Sequence, residues 1–354
     1  MNTKVHFLSV FLKKIKNRSM ILVTGATGLV GGHLLWHLLK QHDKVIALKR
    51  NTSNMVPLRR IFSFYTDSPD DFLKRIEWRT GDINNIESLE DCMSGIDVIF
   101  HCAAIVSLSK GGNELMDTNV QGTRNIVESA VKMQVKKFCF VSSIAACGFA
   151  SGKHLIDEQT AWTENEHKTM YALSKYNAEQ EVWKGIQKGL NAVIVNPGVI
   201  LGVSGSESGS SLIFSQVRKG LIFYTLGGSG YVDVRDVVRA MIQLMDKNIF
   251  AQRFVLVGEN LSNKDIVTMM ADGFHKTRPF INVTRGLLLV VGGIAEIFGK
   301  IFGFKPLIDR SFARSATNRS YYSSRKIADT LNFKFTPIVQ CIEDVCRHML
   351  YTTK

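Results

Sequence analysis

The chain has 354 residues, 45% of them hydrophobic and 21% charged, with a formal net charge of +13. That apolar content excludes an intrinsically disordered chain and suffices for one large α/β domain, with or without a smaller C-terminal lobe. The charge raises nucleic acid as a partner, but five Lys or Arg and no acid crowd residues 1–20, a second basic stretch runs from Arg285 to Lys326, and no nucleic-acid motif accompanies them.

Residues 1–19 precede the first apolar strand, and Met20 stands where such a chain would start. Either it is the true start, or Val5 to Leu12 with Lys13, Lys14 and Lys16 form a short basic surface helix. A secretory signal would carry its charges before the apolar run and end in a small-residue cleavage site, so export is disfavoured. Six cysteines, at 92, 102, 139, 147, 341 and 346, include no C-x-x-C pair and lie mostly in apolar runs. They read as reduced thiols of a cytosolic protein, with neither disulfides nor a metal site expected.

Met20-Ile-Leu-Val-Thr-Gly-Ala-Thr-Gly-Leu-Val-Gly31 runs an apolar strand into three glycines and then an apolar helix. Glycine at 25, 28 and 31 permits a tight turn, close backbone approach to a pyrophosphate and close helix-on-strand packing. The helix N-terminus adds unpaired N–H groups and partial positive charge, so Gly25, Thr27, Gly28, Leu29, Val30 and Gly31 form a candidate phosphate cradle. The spacing G-x-x-G-x-x-G departs from the commoner G-x-G-x-x-G.

A second strand, Lys44 to Leu48, ends in Lys49-Arg50. An NAD site places a carboxylate here for the ribose hydroxyls, and none is present, since Asp43 precedes the strand. Arg50, aided by Lys49, suits a 2′-phosphate instead, which favours NADP(H) over NAD(H). The alternative is a solvated loop cation. The third strand, Ile76 to Trp78, leads to Gly81-Asp82-Ile83, where Asp82 alternatively caps a helix beginning near Ile86. The fourth, Val98 to His101, leads to Cys102-Ala103-Ala104, whose small side chains allow backbone to lie along a cofactor. His101 reads as a satisfied core histidine.

Lys137 to Val141 forms a fifth strand ending at Ser142-Ser143, and Ala192 to Asn196 a sixth ending at Pro197-Gly198-Val199. Between them, Tyr171 and Lys175 stand four residues apart on a helix and share a face. An ammonium there favours the phenolate and lowers a phenol pKa ordinarily near 10. Strands alternating with helices imply an α/β fold, a doubly wound parallel (Rossmann) sheet whose loops after the strands collect in one crevice.

After Gly209 the pattern loosens, with helices expected near 234–245, 262–270, 285–302 and 337–350. The division read from the sequence is a basic extension over 1–19, a dinucleotide-binding domain over 20–202 and a smaller substrate lobe over 203–354, interleaved with late sheet elements. The run from Gly286 to Phe304 is nearly long enough to span a bilayer, but Glu296, Lys300 and five glycines oppose that. Flanked by Arg285, Lys305, Arg310, Arg314 and Arg319, it suits either a greasy pocket wall with a basic rim or a helix lying on a membrane surface.

The glycine turn, Ser142-Ser143 and Tyr171-Ala-Leu-Ser-Lys175 together resemble the short-chain dehydrogenase/reductase superfamily in its extended, epimerase/dehydratase-like branch. The resemblance runs from about residue 20 to 202, then more loosely through Tyr231-Val-Asp-Val-Arg-Asp-Val-Val238 to the C-terminus. It implies hydride transfer between NADP(H) and a secondary alcohol or carbonyl. Tyr171 then moves the proton, Lys175 tunes it and bonds the nicotinamide ribose, Ser143 polarises the substrate oxygen, and Asn119 anchors a relay water. Unaided, Asn119 reads as a helix asparagine bonded to neighbouring backbone. The resemblance also sets Asp82 and Ile83 at the adenine, Cys102, Ala103 and Ala104 along the cofactor, and Pro197, Gly198 and Val199 at the nicotinamide carboxamide.

The loop Asn196-Pro-Gly-Val-Ile-Leu-Gly202 lacks the Arg-x-x-Asn-x-x-Gly-Pro of sugar-nucleotide enzymes and is nearer to dihydroflavonol reductases and 3β-hydroxysteroid dehydrogenases. A bulky, apolar small-molecule substrate is therefore expected, for a cytoplasmic enzyme, with a homodimer and peripheral membrane contact both open. Two other readings stand: a nucleotide-sugar epimerase or dehydratase retaining NAD, and a non-catalytic dinucleotide-binding regulator. Regulators typically lose the tyrosine or lysine, and both are present here.

Overall fold

The computed structural model describes residues 19–106, 112–148, 155–163, 169–205, 209–289 and 316–351. The six apolar runs form the strands β1 Ile21–Thr24, β2 Val45–Lys49, β3 Ile76–Thr80, β4 Val98–His101, β5 Lys137–Val141 and β6 Ala192–Pro197. They are followed by β7 Val199–Leu201, β8 Phe223–Tyr224, β9 Gly228–Asp233, β10 Gln252–Leu256, β11 Glu259–Ser262 and β12 Ile281–Asn282.

The large sheet is parallel and seven-stranded, in the order β10-β6-β5-β4-β1-β2-β3. Its strands are apolar on both faces because helices cover both: in β6, Val193 and Val195 enter one core and Ala192 and Ile194 the other. Helices α1 (Leu29–Leu39) and α2 (Val56–Ser63) pack on the first face. The second face takes α3 (Ile86–Met93), α4 (Gly122–Lys132) and α5 (Met170–Gln187). The strand order reverses between β1 and β4, and a crevice at that switch point is where such sheets bind ligands.

Strand β10 was not among the six expected strands; it pairs parallel with β6 and extends the sheet beyond residue 202. A second, mixed sheet, β11-β9-β7, packs against α6 (Ser210–Arg218), then, beyond α7 (Val234–Asp246) on the first face, against α8 (Asn263–Gly273) and α9 (Ile338–Tyr351). Three of the late helices thus fall within a few residues of expectation. The fourth, over 285–302, lies outside the described residues from 290 onward, as do the apolar run to Phe304 and residues 1–18 of the basic extension. Among the described residues no helix is long and apolar enough to cross a membrane. All six cysteines are free thiols, five of them buried.

Candidate active site

The turn after β1 is shaped by contact. Gly25 adopts φ +65°, and a Cβ there would stand 2.6 Å from the backbone nitrogen of Ala103 in the loop after β4. A Cβ on Gly31 would stand 2.2 Å from the Gly25 carbonyl oxygen, so the third glycine lets α1 sit directly on the turn. Gly28 is the N-cap of α1, with no side chain capping it and no acid in the first turn. The leading N–H groups of α1 therefore keep their partial positive charge unneutralised by the chain, and the cradle fits a dinucleotide pyrophosphate. Thr27, Leu29 and Val30 lie on this turn and first helical turn.

Beside this turn, after β2 and β3, the Gly81 N–H donates to the Lys49 carbonyl at 2.9 Å, so the loops carrying Arg50 and Asp82 lie side by side. Arg50 is exposed just beyond β2, its own N–H donating to the Ser53 hydroxyl. Lys49 instead folds back over the Trp78 ring, 6.0 Å from its centroid. The cap of α3 is Asn85, which accepts from the Ser88 N–H at 3.0 Å, and not Asp82, whose carboxylate accepts from Asn84. The Asn125 amide donates to the Ile83 carbonyl at 2.8 Å and fixes this loop from α4, a contact the sequence reading missed.

Cys102, Ala103 and Ala104 follow β4 beside the glycine turn, with the Cys102 N–H donating to the Thr24 carbonyl. His101 is fully buried between two threonines, 2.7 Å from Thr24 Oγ1 and 3.1 Å from Thr123 Oγ1. Because the Thr123 hydroxyl donates onward to the Asn119 carbonyl, Nε2 of His101 carries the proton and Nδ1 accepts. Burial pushes its pKa down to about 3, and it is the neutral core histidine expected. Gly198 meets β9 so closely that a Cβ would stand 2.4 Å from the Gly230 carbonyl oxygen; Pro197 and Val199 flank it.

Ser143 lies two residues past β5 as N-cap of a short 3₁₀ turn, its hydroxyl accepting from the Ala145 N–H at 3.1 Å. The Tyr171 phenol, on the first turn of α5, faces the Ser143 side chain. Lys175, one turn further on, is 2% exposed. Its ammonium donates to the Val141 carbonyl at 2.7 Å and stands 4.6 Å from the Phe140 ring centroid. Burial lowers its pKa to about 8, opposed chiefly by Glu179. The phenol departs from expectation: burial pushes Tyr171 above its ordinary range, the neighbouring Ser143 side chain opposes that, and the ammonium is engaged by Val141 rather than by the phenol.

Asn119 sits in a π-helical segment, Asp117–Gln121, of the kind that often marks a functional position. Its side chain grips Ile105 twice, accepting from the N–H at 2.8 Å and donating to the carbonyl at 3.0 Å, and also donates to the Ser174 hydroxyl at 3.0 Å. It thereby binds the loop after β4 to α5. The structure brings Ser143, Tyr171, Lys175 and Asn119 together and sets Arg50 and Asp82 apart at the far end of the crevice.

Comparison with known proteins sets these features in context. A profile of the family described as male sterility protein matches residues 23–242. The chain is 29% identical, over 91% of its length and 92% of the other's, to a protein of Synechocystis sp. provisionally named dihydroflavonol 4-reductase. It is 29% identical to sterol demethylase protein B of Methylococcus capsulatus, over 86% and 87% of the two chains, and 23% identical to cinnamoyl-CoA reductase 2 of Medicago truncatula, over 93% and 90%. Among solved structures, gox2253 superposes with a TM-score of 0.77 at 26% identity, covering 95% of this chain and 99% of that one.

Proposed function

This chain belongs to the male sterility protein family, within the extended short-chain dehydrogenase/reductase superfamily, and from that premise we propose that it reduces a bulky, largely apolar carbonyl compound to the secondary alcohol with NADPH. The observation that carries the reading is the Tyr171 phenol facing Ser143, with Lys175 buried one turn further along the same helix face.

A phenol held above its ordinary range is protonated at neutral pH, the state a proton donor to a carbonyl oxygen needs. Ser143 orients and polarises that oxygen, Lys175 supplies positive charge one helical turn from the phenol and would donate to the nicotinamide ribose, and Asn119 holds the relay side of the site. When bound, reduced nicotinamide supplies the hydride. Gly25, Thr27, Gly28, Leu29, Val30 and Gly31 would hold the pyrophosphate, Arg50 the 2′-phosphate, and Asp82 and Ile83 the adenine. Cys102, Ala103 and Ala104 would line the cofactor, and Pro197, Gly198 and Val199 would hold the carboxamide.

The exposed Arg50, with no carboxylate at its position, supports NADP(H). Exposed Val106 and Met170, next in sequence to Ile105 and Tyr171, support an apolar substrate, as do relatives named for flavonoid and sterol chemistry. A panel of ketones, aldehydes and acyl thioesters graded by size and polarity, with NADPH oxidation followed optically, tests the reading. Turnover of large apolar carbonyls is expected, and preferential turnover of small polar sugars would sink it.

A further inference from the structure

Glu179 lies on the face of α5 that carries Tyr171 and Lys175, one turn beyond the lysine, and has no solvent exposure. A carboxylate in that dry layer is costly unless it is paired. Its Oε1 accepts from the Ser142 hydroxyl at 2.5 Å and from the Asn196 amide at 2.5 Å. The same Asn196 amide donates to the Ser143 carbonyl at 3.0 Å, so one side chain at the end of β6 joins the carboxylate to the serine loop. Oε2 has no hydrogen-bond partner among the described residues and faces Arg253 of β10 at 3.5 Å.

Among the described residues the groups around Lys175 leave a single carboxyl, Glu179, which burial pushes above its ordinary range and the Ser142 hydroxyl, Arg253 and the Asn196 amide pull back toward the ionised form. From β4 come His101, a neutral core histidine, and Cys102, whose thiol burial pushes up to about 12. From β5 come the Val141 carbonyl and the Phe140 ring. The lysine's own helix contributes Tyr171, protonated at neutral pH, and Glu179. Arg253 faces the carboxylate rather than the ammonium.

We infer that Glu179 is a positioning residue of this site: its carboxylate clasps the Ser142-Ser143 loop to the catalytic helix and serves as the counter-charge of Lys175. Without it the buried ammonium would face only neutral groups among the described residues, and the serine loop would lose the tie from Ser142 to α5. The inference rests on reading Lys175 as a working group of the site.

The test follows the Lys175 Nζ signal by NMR in ¹⁵N-lysine-labelled protein across pH, assigned by its loss in Lys175→Met. In Glu179→Gln the titration midpoint is expected to fall by about one pH unit or more. In Glu179→Asp, which keeps the charge, it stays near that of the parent protein. In Glu179→Gln, the alkaline limb of carbonyl reduction moves down with the midpoint. An unmoved midpoint in a folded Glu179→Gln protein overturns the inference, whatever its thermal stability. A lowered midpoint in a protein that reduces no carbonyl leaves the inference standing and removes the functional reading instead. Should Glu179→Gln not fold, Glu179→Met, an uncharged side chain of similar volume, is read in its place; the midpoint is again expected to fall, and an unmoved one overturns the inference.

Discussion

Gly31 rests so closely on Gly25 that a Cβ at position 31 would stand 2.2 Å from the Gly25 carbonyl oxygen, whereas one at Gly28 would stand 3.2 Å from it. The two glycines therefore differ in what they tolerate. Gly31→Ala must push α1 off the turn, and overpacking of this kind costs about 1–3 kcal/mol. Gly31→Ala is expected to lower the thermal midpoint and weaken NADP(H) binding at least about tenfold, with Gly28→Ala milder on both counts. Equal effects by calorimetry and nucleotide fluorescence would contradict this account of the cradle.

Arg50 is the candidate reader of a 2′-phosphate. A charge-assisted bond is worth about 1.5–3 kcal/mol, so Arg50→Gln should raise the KM for NADPH about 10- to 100-fold while leaving that for NADH nearly unchanged. Parallel changes for both cofactors would show that Arg50 does not distinguish them.

Two buried histidines set the acid limit of stability. Burial lowers His33 to about 4 and His101 to about 3, both below the unfolded value of 6.5. Each folded pKa is depressed, so the neutral ring's contribution is complete above about pH 6.5 and is withdrawn as pH falls toward 4, at about 1.4 kcal/mol per pH unit for each ring. Urea unfolding between pH 7 and 4.5 should show this slope, and His101→Gln should flatten it while lowering stability at neutral pH. An unchanged slope in that variant would refute the assignment.

All six thiols are free and only Cys102 is not fully buried. Burial also pushes the Cys102 thiol up to about 12, so a thiol-reactive dye should label none of the six quickly in the native protein and all six after denaturation without reductant. Fewer than six on denaturation would reveal a disulfide.

The parallel sheet was legible because strands covered on both faces read as unbroken apolar runs, and β1, β4 and β5 fall where the runs do. Strand β10 was not, because Gln252 and Arg253 open it with polar residues and only Phe254, Val255 and Leu256 are buried. Tyr171 and Lys175 were legible because a helix converts their spacing directly into a shared face. The sign of the Tyr171 shift was not, since burial and the pull of Val141 on Lys175 arise from tertiary packing. Asn85 outcompetes Asp82 as the cap by lying immediately before the helix. Glu179 did leave a signal, a carboxylate one turn past Lys175 between Ala178 and Val182, residues that both enter the core.

The central claim is that Tyr171 delivers the proton when this chain reduces a carbonyl, and Tyr171→Phe measures it with the ring and packing retained. On a substrate from the carbonyl panel, kcat should fall at least about 100-fold, the low end of what general-acid catalysis contributes, with NADPH affinity close to that of the parent protein. A variant that turned over at a near-normal rate would contradict the account.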